Sequence, residues 1–299
     1  LPSPSLPPDM DVPTCRAGGR TWRTPTILVR WATTKMCCSL PSLTVRITAS
    51  SLVPRYHALV IEGVEVQESP KWLRERLQAV GVNSINTVVD ITNYAMLDVG
   101  HPLHAFDYDE IQEHTMTVRK SRTGEVIDTL DENEFTLPRG VLVIEDAEEL
   151  IDLAGMKGGK RSGITASTRN IILQAANVDG KAMYRAKKAL RYTTQAADIY
   201  SHGIDPNWST ECLERALWLV EKLAGGTVAQ IVDIYPKPTV PKNISLDLGC
   251  AERLLGMSVP LHKAKQILQS LGCRIESAHG NILKAEVPTR RLDLAIPED

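Results

Sequence analysis

Polar side chains interrupt the apolar segment VVDITNYAMLDVGHPLHAFDYDEI, residues 88–111. Thr92 and Asn93 lie in its first half, and His104 follows Pro102 in its second half. Polar groups among apolar neighbours are either hydrogen-bonded within the fold or used at a binding site. At a binding site, hydroxyl, amide and imidazole groups of this kind supply hydrogen-bond donors and acceptors for a ligand. A core histidine bonded to backbone, with Thr92 and Asn93 capping a turn, is the alternative that the spacing leaves open.

A second candidate is the glycine-rich segment LAGMKGG, residues 153–159, which carries Gly155, Gly158 and Gly159. Glycine has no Cβ, so backbone N–H groups in such a loop can approach a ligand closely. The spacing is neither that of a P-loop nor that of a dinucleotide fingerprint, and it predicts neither ATP nor NAD binding. A plain turn remains the alternative.

A third candidate is the basic face of the helical segment DGKAMYRAKKALR, where Lys181, Arg185 and Lys188 recur at helical spacing. A solvated face is the ordinary meaning of such charges, and contact with phosphates is the alternative. Three residues near the glycine-rich segment would extend this face if the two segments are adjacent: Lys157, Lys160 and Arg161.

The composition is that of a globular protein of about two domains. The chain has 299 residues, of which 43% are hydrophobic and 23% charged, and no run approaches the ~18 apolar residues of a membrane helix. A net charge of -2 excludes a uniformly basic nucleic-acid coat. The six cysteines form no C-x-x-C pair, which favours reduced thiols and a cytoplasmic location.

The elements that must position these residues follow from periodicity. Residues 1–50 are rich in Pro, Arg, Thr and Ser and show no sustained pattern. They are left unassigned, as a disordered or mis-assigned leader, with a functional basic arm as the alternative. A strand begins near Tyr56, and a helix capped by Ser69 follows, with Trp72, Leu73, Leu77 and Val80 turned inward. Residues 88–99 fit a buried helix that Gly100 ends, which leaves His104 in extended chain.

Alternating patterns then predict sheet. They are TMTVRKS, a hairpin around residues 131–133, VLVIED and NIILQAA. Two helical segments follow, the second capped by Ser209, and the strand TVAQIVDIYP leads into the linker KPTVPKN. We therefore expect an α+β fold: a mixed-sheet domain with flanking helices over residues 51–238, then a small α+β module over 242–299 that is truncated at its C-terminus.

Five motifs occur in the order VVDITNYAMLDVGHPLHAFD, LAGMKGG, NIILQAAN, ALRYTTQAADIYSHGIDP and VPTRRLDL. Together they resemble the β subunit of bacterial phenylalanyl-tRNA synthetase, in its editing domain and the start of the module that follows. The resemblance covers roughly residues 55–299. It implies a β-subunit piece that hydrolyses tyrosine wrongly attached to the phenylalanine tRNA and that does not aminoacylate by itself.

The resemblance also assigns site residues. It implies catalytic roles for His104, Thr92, Asn93 and Thr194, and substrate-binding roles for Gly155, Gly158, Gln174, Ala196 and Asn83. Two positions depart from the family pattern. Gln174 stands where a glutamate usually reads the tyrosine hydroxyl, and Asn83 stands where an arginine is common. A neutral acceptor in place of a charged one predicts a loss of about 1 kcal/mol in selectivity.

The last motif implies a metal. Asp293 and Asp299 match the first two magnesium ligands of the family, and a magnesium shell needs further oxygen ligands, so we expect weak binding or none in this chain. The parent enzyme uses ATP and Mg²⁺, and its implied partners are the phenylalanine tRNA and an α subunit in an α2β2 assembly. Two other readings stay open: a non-catalytic, tRNA-contacting scaffold with a decayed editing pocket, and a free-standing nucleic-acid-binding module.

Overall fold

The computed structural model describes residues 40–294, which divide into two compact units at residues 238 and 239. Residues 1–39 of the unassigned leader lie outside the described residues. Its last part does not, since Thr44–Ile47 form a strand in a segment for which the sequence predicted no fold. No helix within the described residues is long and apolar enough to cross a membrane.

The larger unit contains eleven of the described strands and five of the described helices. In chain order they are β1 Thr44–Ile47, β2 Arg55–Glu62, α1 Lys71–Ala79, α2 Thr87–Val99, β3 His104–Asp107, β4 Thr115–Lys120, β5 Glu125–Asp128, β6 Glu134–Leu137, β7 Leu142–Glu145, β8 Leu150–Leu153, β9 Lys157–Gly158, β10 Asn170–Asn177, α3 Gly180–Leu190, α4 Gln195–Ser201, α5 Trp208–Leu223 and β11 Thr227–Ile234.

These strands form two main sheets and a hairpin. The five-stranded sheet has the order β1-β4-β7-β8-β9 and is mixed, because β1 pairs with β4 in parallel whereas the other pairs are antiparallel. The four-stranded sheet is antiparallel with the order β11-β2-β10-β3. Strands β5 and β6 form the hairpin predicted around residues 131–133.

The four-stranded sheet is buried on both faces. Along β2, Tyr56, Ala58 and Val60 alternate with Leu59 and Ile61, and the two sets belong to different apolar clusters. The first cluster includes residues of the five-stranded sheet, α3 and α4, and the second includes residues of α1, α2 and α5. Because successive side chains of a strand point to opposite faces, the unit is layered as helices, four-stranded sheet and five-stranded sheet.

Local helix signals were only partly right. Gly100 ends α2 with a left-handed φ of 85°, as predicted. Ser69 is not a helix cap, because its hydroxyl donates to Asp90 at 2.6 Å, and Val80 is 59% exposed instead of inward. Ser209 lies inside α5 and donates to the Pro206 carbonyl, so it is not the cap either. Instead of capping a helix, Ser69 bonds a residue of α2 and Ser209 bonds the carbonyl of the residue three positions earlier.

The smaller unit comprises β12 Lys242–Asp247, α6 Leu248–Leu255, α7 Leu261–Ser270, β13 Arg274–His279 and β14 Ile282–Val287. Its antiparallel sheet has the order β12-β14-β13, and its core contains Cys273, Leu283, Ala285 and Val287. The predicted α+β class is therefore confirmed.

Candidate functional site

His104 is the first residue of β3 and pairs directly with Gln174 on β10. Directly opposed residues project to the same face of a sheet, so the imidazole and the amide lie side by side. Phe106 lies on that same face, within the cluster shared with the five-stranded sheet, and its ring meets the imidazole edge-on with centroids 4.4 Å apart. The expectation of His104 in extended chain is thus confirmed, and the site lies between two sheets.

The imidazole of His104 is neutral and incompletely bonded. Its Nε2 atom is buried and has no hydrogen-bond partner among residues 40–294. Burial, with a smaller contribution from the positive charge of Lys157, lowers the pKa of His104 to about 4. A neutral imidazole has one donor and one acceptor nitrogen, so a ligand or a water can still bind at Nε2.

Gly158 leaves the space that the His104 ring occupies. A Cβ at Gly158 would lie 2.6 Å from Nε2, closer still to Cε1, and 3.0 Å from Cδ1 of Leu130. Real Cβ atoms essentially never approach other atoms within 3.0 Å. Any side chain at this position would therefore displace the imidazole or the leucine.

Gly155 serves the turn between β8 and β9. Its φ is +78°, and a Cβ there would meet Met183 at 2.8 Å and the Tyr200 ring at 3.0 Å. Gly159 is packed as tightly against the Ile151 backbone. The segment is therefore a close-packed hairpin, in which Gly158 borders the His104 ring.

Thr194 is hydrogen-bonded to the backbone of this hairpin. It is the N-cap of α4, where its hydroxyl oxygen accepts from the Ala197 N–H at 3.2 Å, and it donates to the Met156 carbonyl at 2.9 Å. Ala196, in the first turn of α4, is half-buried. The structure thus joins Thr194 to the segment that carries Gly158.

Gln174 is buried, and its amide oxygen already has a donor. The Tyr56 hydroxyl donates to Oε1 at 3.0 Å, and Tyr56 is itself fully buried. Burial, followed by the charge of Asp152, raises the pKa of Tyr56 and keeps the phenol protonated. The amide oxygen retains one lone pair for a further donor.

Three other predicted site residues are not hydrogen-bonded to His104. The Thr92 hydroxyl donates to the Val89 carbonyl at 2.7 Å within α2, and Asn93 is half-buried on the same helix. The buried apolar side chains of α2 pack in the cluster on the opposite face of the sheet from His104. Asn83 is exposed between α1 and α2.

Sequence reasoning missed Asp152. This residue of β8 is only 3% exposed, and burial raises its pKa well above the usual range. It lies directly opposite Gly158 in the β8–β9 pair. An acid inside the apolar strand LIDL was the available signal, because buried carboxyls are rare unless they are paired or used.

The smaller unit contains Asp293, whose carboxylate receives two hydrogen bonds from Arg291, at 2.8 and 2.6 Å. This pairing lowers the pKa of Asp293 to about 2. No group of three or more potential metal ligands gathers within the described part of the chain. Asp299 lies outside the described residues. The residues that the structure describes do not fit a magnesium shell.

The basic face of α3 is exposed at Lys181, Arg185 and Lys188, as predicted. Its proposed extension is partly neutralised, because Arg161 pairs with Asp146 and Glu149. Lys157 lies 3.9 Å from Asp131. The charges of Arg161 and Lys157 thus belong mainly to local ion pairs.

Comparison with known proteins identifies two domains. Residues 52–225 match the B3/4 domain, and residues 244–299 match the tRNA synthetase B5 domain. The phenylalanine-tRNA ligase beta subunit of Geobacter sulfurreducens is 40% identical over 252 residues, which are 84% of this chain and 32% of that protein. The beta subunit of Salinibacter ruber is 38% identical over 258 residues, or 86% and 31%.

A solved N-terminal fragment of the Pyrococcus horikoshii phenylalanyl-tRNA synthetase beta subunit aligns with a TM-score of 0.40 and 15% identity, over 88% of this chain and 73% of that one. The chain spans about a third of the length of the curated relatives named above. The B3/4 match covers more than half of the chain. The chain therefore belongs to the B3/4 domain family, within which it is similar to phenylalanine-tRNA ligase beta subunits.

Proposed function

We propose that this chain is the proofreading region of a phenylalanine-tRNA ligase beta subunit, which hydrolyses the ester between tyrosine and the phenylalanine tRNA. The observation that carries the proposal is the neutral His104 imidazole, whose buried Nε2 has no partner in the described structure and borders the Gly158 backbone. The predicted roles of the other site residues belong to this proposal.

The electrostatics of His104 favour a positioning role. A pKa of about 4 keeps the ring neutral at physiological pH but makes it a weak proton acceptor. The imidazole would therefore hold the attacking water, or donate to the developing oxyanion, through a hydrogen bond. No serine or cysteine nucleophile is required, because water attacks the ester carbonyl directly.

Selection of tyrosine over phenylalanine depends on one hydroxyl group. A site built to bond that hydroxyl can reject the analogue that lacks it by ~10⁴ or more, because its own buried polar groups would be left unpaired. Gln174 is a neutral acceptor that already receives a hydrogen bond from Tyr56. This engagement favours a second candidate function, that of a non-catalytic scaffold that contacts tRNA.

We also propose the domain bounds of the chain and the partners and cofactors of the complete enzyme. The editing domain would span residues 51–238 and the following module 242–299. The partners would be the phenylalanine tRNA and an α subunit in an α2β2 assembly in the cytoplasm. The whole enzyme would use ATP and Mg²⁺ for aminoacylation, and Asp293 and Asp299 would need ligands from elsewhere to hold the metal.

The experiment compares hydrolysis of tyrosyl- and phenylalanyl-tRNA, both on the phenylalanine tRNA, by the full chain. We expect faster loss of the tyrosyl ester and a fall of about 100-fold in His104→Ala. His202→Ala is the matched control, because His202 is exposed and its ring is hydrogen-bonded to the Asp198 carbonyl of α4, the helix that it ends. Gln174→Glu should raise the tyrosyl selectivity. Loss of both esters at the uncatalysed rate, by folded protein that binds the tRNA, would favour the scaffold.

A further inference from the structure

Asp152 is a buried residue of β8, 3% exposed. Its carboxyl group takes part in none of the side-chain hydrogen bonds found among the described residues. Burial is the one cause of the upward shift in its pKa. A buried polar group without a partner lowers the stability of the fold. Such a group is therefore a candidate for a functional role.

The β8–β9 pairing places Asp152 on the face of the hairpin that meets the His104 ring. Asp152 lies directly opposite Gly158, and directly opposed residues project to the same face with Cβ atoms about 5 Å apart. The Gly158 Cβ position is 2.6 Å from Nε2 of His104. The imidazole therefore lies within about 8 Å of the Asp152 Cβ atom, on the same face of the hairpin.

The phenol groups of Tyr56 and Tyr200 also lie near Asp152, but both donate their hydrogen bonds to other acceptors. After burial, the charge of Asp152 contributes to the raised pKa of both Tyr56 and Tyr200. The Tyr56 hydroxyl donates to Gln174, and the Tyr200 hydroxyl donates to the Ala176 carbonyl at 2.6 Å. Neither phenol therefore donates to the Asp152 carboxyl group.

We infer that Asp152 is a specificity-determining residue, whose carboxyl group binds the phenolic hydroxyl of a tyrosyl substrate. This inference rests on the proposed function. Gln174 has one acceptor position filled by Tyr56, so Asp152 would supply the acceptor that tyrosine recognition needs.

The surroundings of Asp152 favour a hydroxyl over an ammonium group as its partner. Burial raises the pKa of the Asp152 carboxyl and so favours its neutral form over its charged form. A neutral carboxyl can donate one hydrogen bond and accept another, and a phenol can do the same. An ammonium group would instead require a buried ion pair, with the desolvation of both charges.

The experiment measures binding by titration calorimetry on the full chain. The probes are adenosines that carry tyrosine or phenylalanine through a 3′-amide, which mimic the charged tRNA end and resist hydrolysis. We expect the unaltered chain to prefer the tyrosyl probe, and Asp152→Ala to reduce that preference about tenfold. Asp152→Asn keeps an acceptor and should restore part of the preference. Asp128→Ala, at an exposed aspartate of the same unit, is the matched control.

Stability separates this role from a structural one. If the carboxyl serves binding, removing an unpartnered buried acid should leave the urea midpoint equal or higher. A lower midpoint with an unchanged tyrosyl preference would overturn the inference. No tyrosyl preference in the unaltered chain, including no binding of either probe, would also overturn it. Tyrosyl-tRNA hydrolysis is assayed separately. If the chain hydrolyses tyrosyl-tRNA but Asp152→Ala leaves the ratio of tyrosyl to phenylalanyl binding unchanged, the inference fails and the proposed function stands. If Asp152→Ala loses the tyrosyl preference but the chain does not hydrolyse tyrosyl-tRNA, the inference stands and the proposed function fails.

Discussion

Replacing Gly158 by alanine should displace the His104 ring without straining the backbone. The φ of Gly158 is not positive, so alanine can adopt the conformation. Its Cβ would lie 2.6 Å from Nε2 of His104, whereas non-bonded heavy atoms rest at about 3.5 Å. The ring must therefore move by roughly 1 Å, and its edge contact with Phe106 limits the directions open to it.

The displacement has two measurable effects. Overpacking of this kind costs about 1–3 kcal/mol of folding free energy, and a misplacement of 1 Å at a reacting centre can cost about 100-fold in rate. We expect Gly158→Ala to lower both the urea midpoint and the rate of tyrosyl-tRNA hydrolysis.

A double-mutant cycle tests the cause. In a His104→Ala background the ring is absent, so Gly158→Ala should cost at least 1 kcal/mol less than in the unaltered chain. An equal cost in both backgrounds would refute the steric reasoning. A Gly158→Ala protein with unaltered stability and rate would refute it as well.

Two further predictions concern stability. Burial lowers the pKa values of His57, His101 and His104 to about 4, below the unfolded value of about 6.5. The stability that depends on their neutral forms is therefore fully present above pH 6.5 and is lost as the pH falls towards 4. Each histidine should lower the unfolding free energy by on the order of 2 kcal/mol at pH 5, and an unchanged urea midpoint between pH 7.5 and 5 would contradict this. Thr194→Val removes the cap of α4 and the bond to the Met156 carbonyl, so it should lower the unfolding free energy by about 1–2 kcal/mol in urea titrations, while Thr194→Ser, which keeps the hydroxyl, should stay within about 0.5 kcal/mol of the unaltered chain.

Features that depend on neighbours in the chain were predictable from the sequence. The left-handed end of α2 at Gly100, the hairpin of β5 and β6, and the extended chain at His104 all follow from local backbone preferences and periodicity. The resemblance of the motifs likewise indicated the family, because ordered motifs are a property of the sequence itself.

Tertiary structure alone decided which of these residues meet. Gly158 and His104 are 54 positions apart, and their contact arises because two different sheets pack together. The partner of Ser69 is Asp90 in α2, 21 positions along the chain, and no local pattern predicts it. The isolation of Asp152 is likewise a property of the folded interior, since a carboxyl group is bonded by water until the sheets close over it. The sequence determined the elements and the family, and packing between distant elements determined the site.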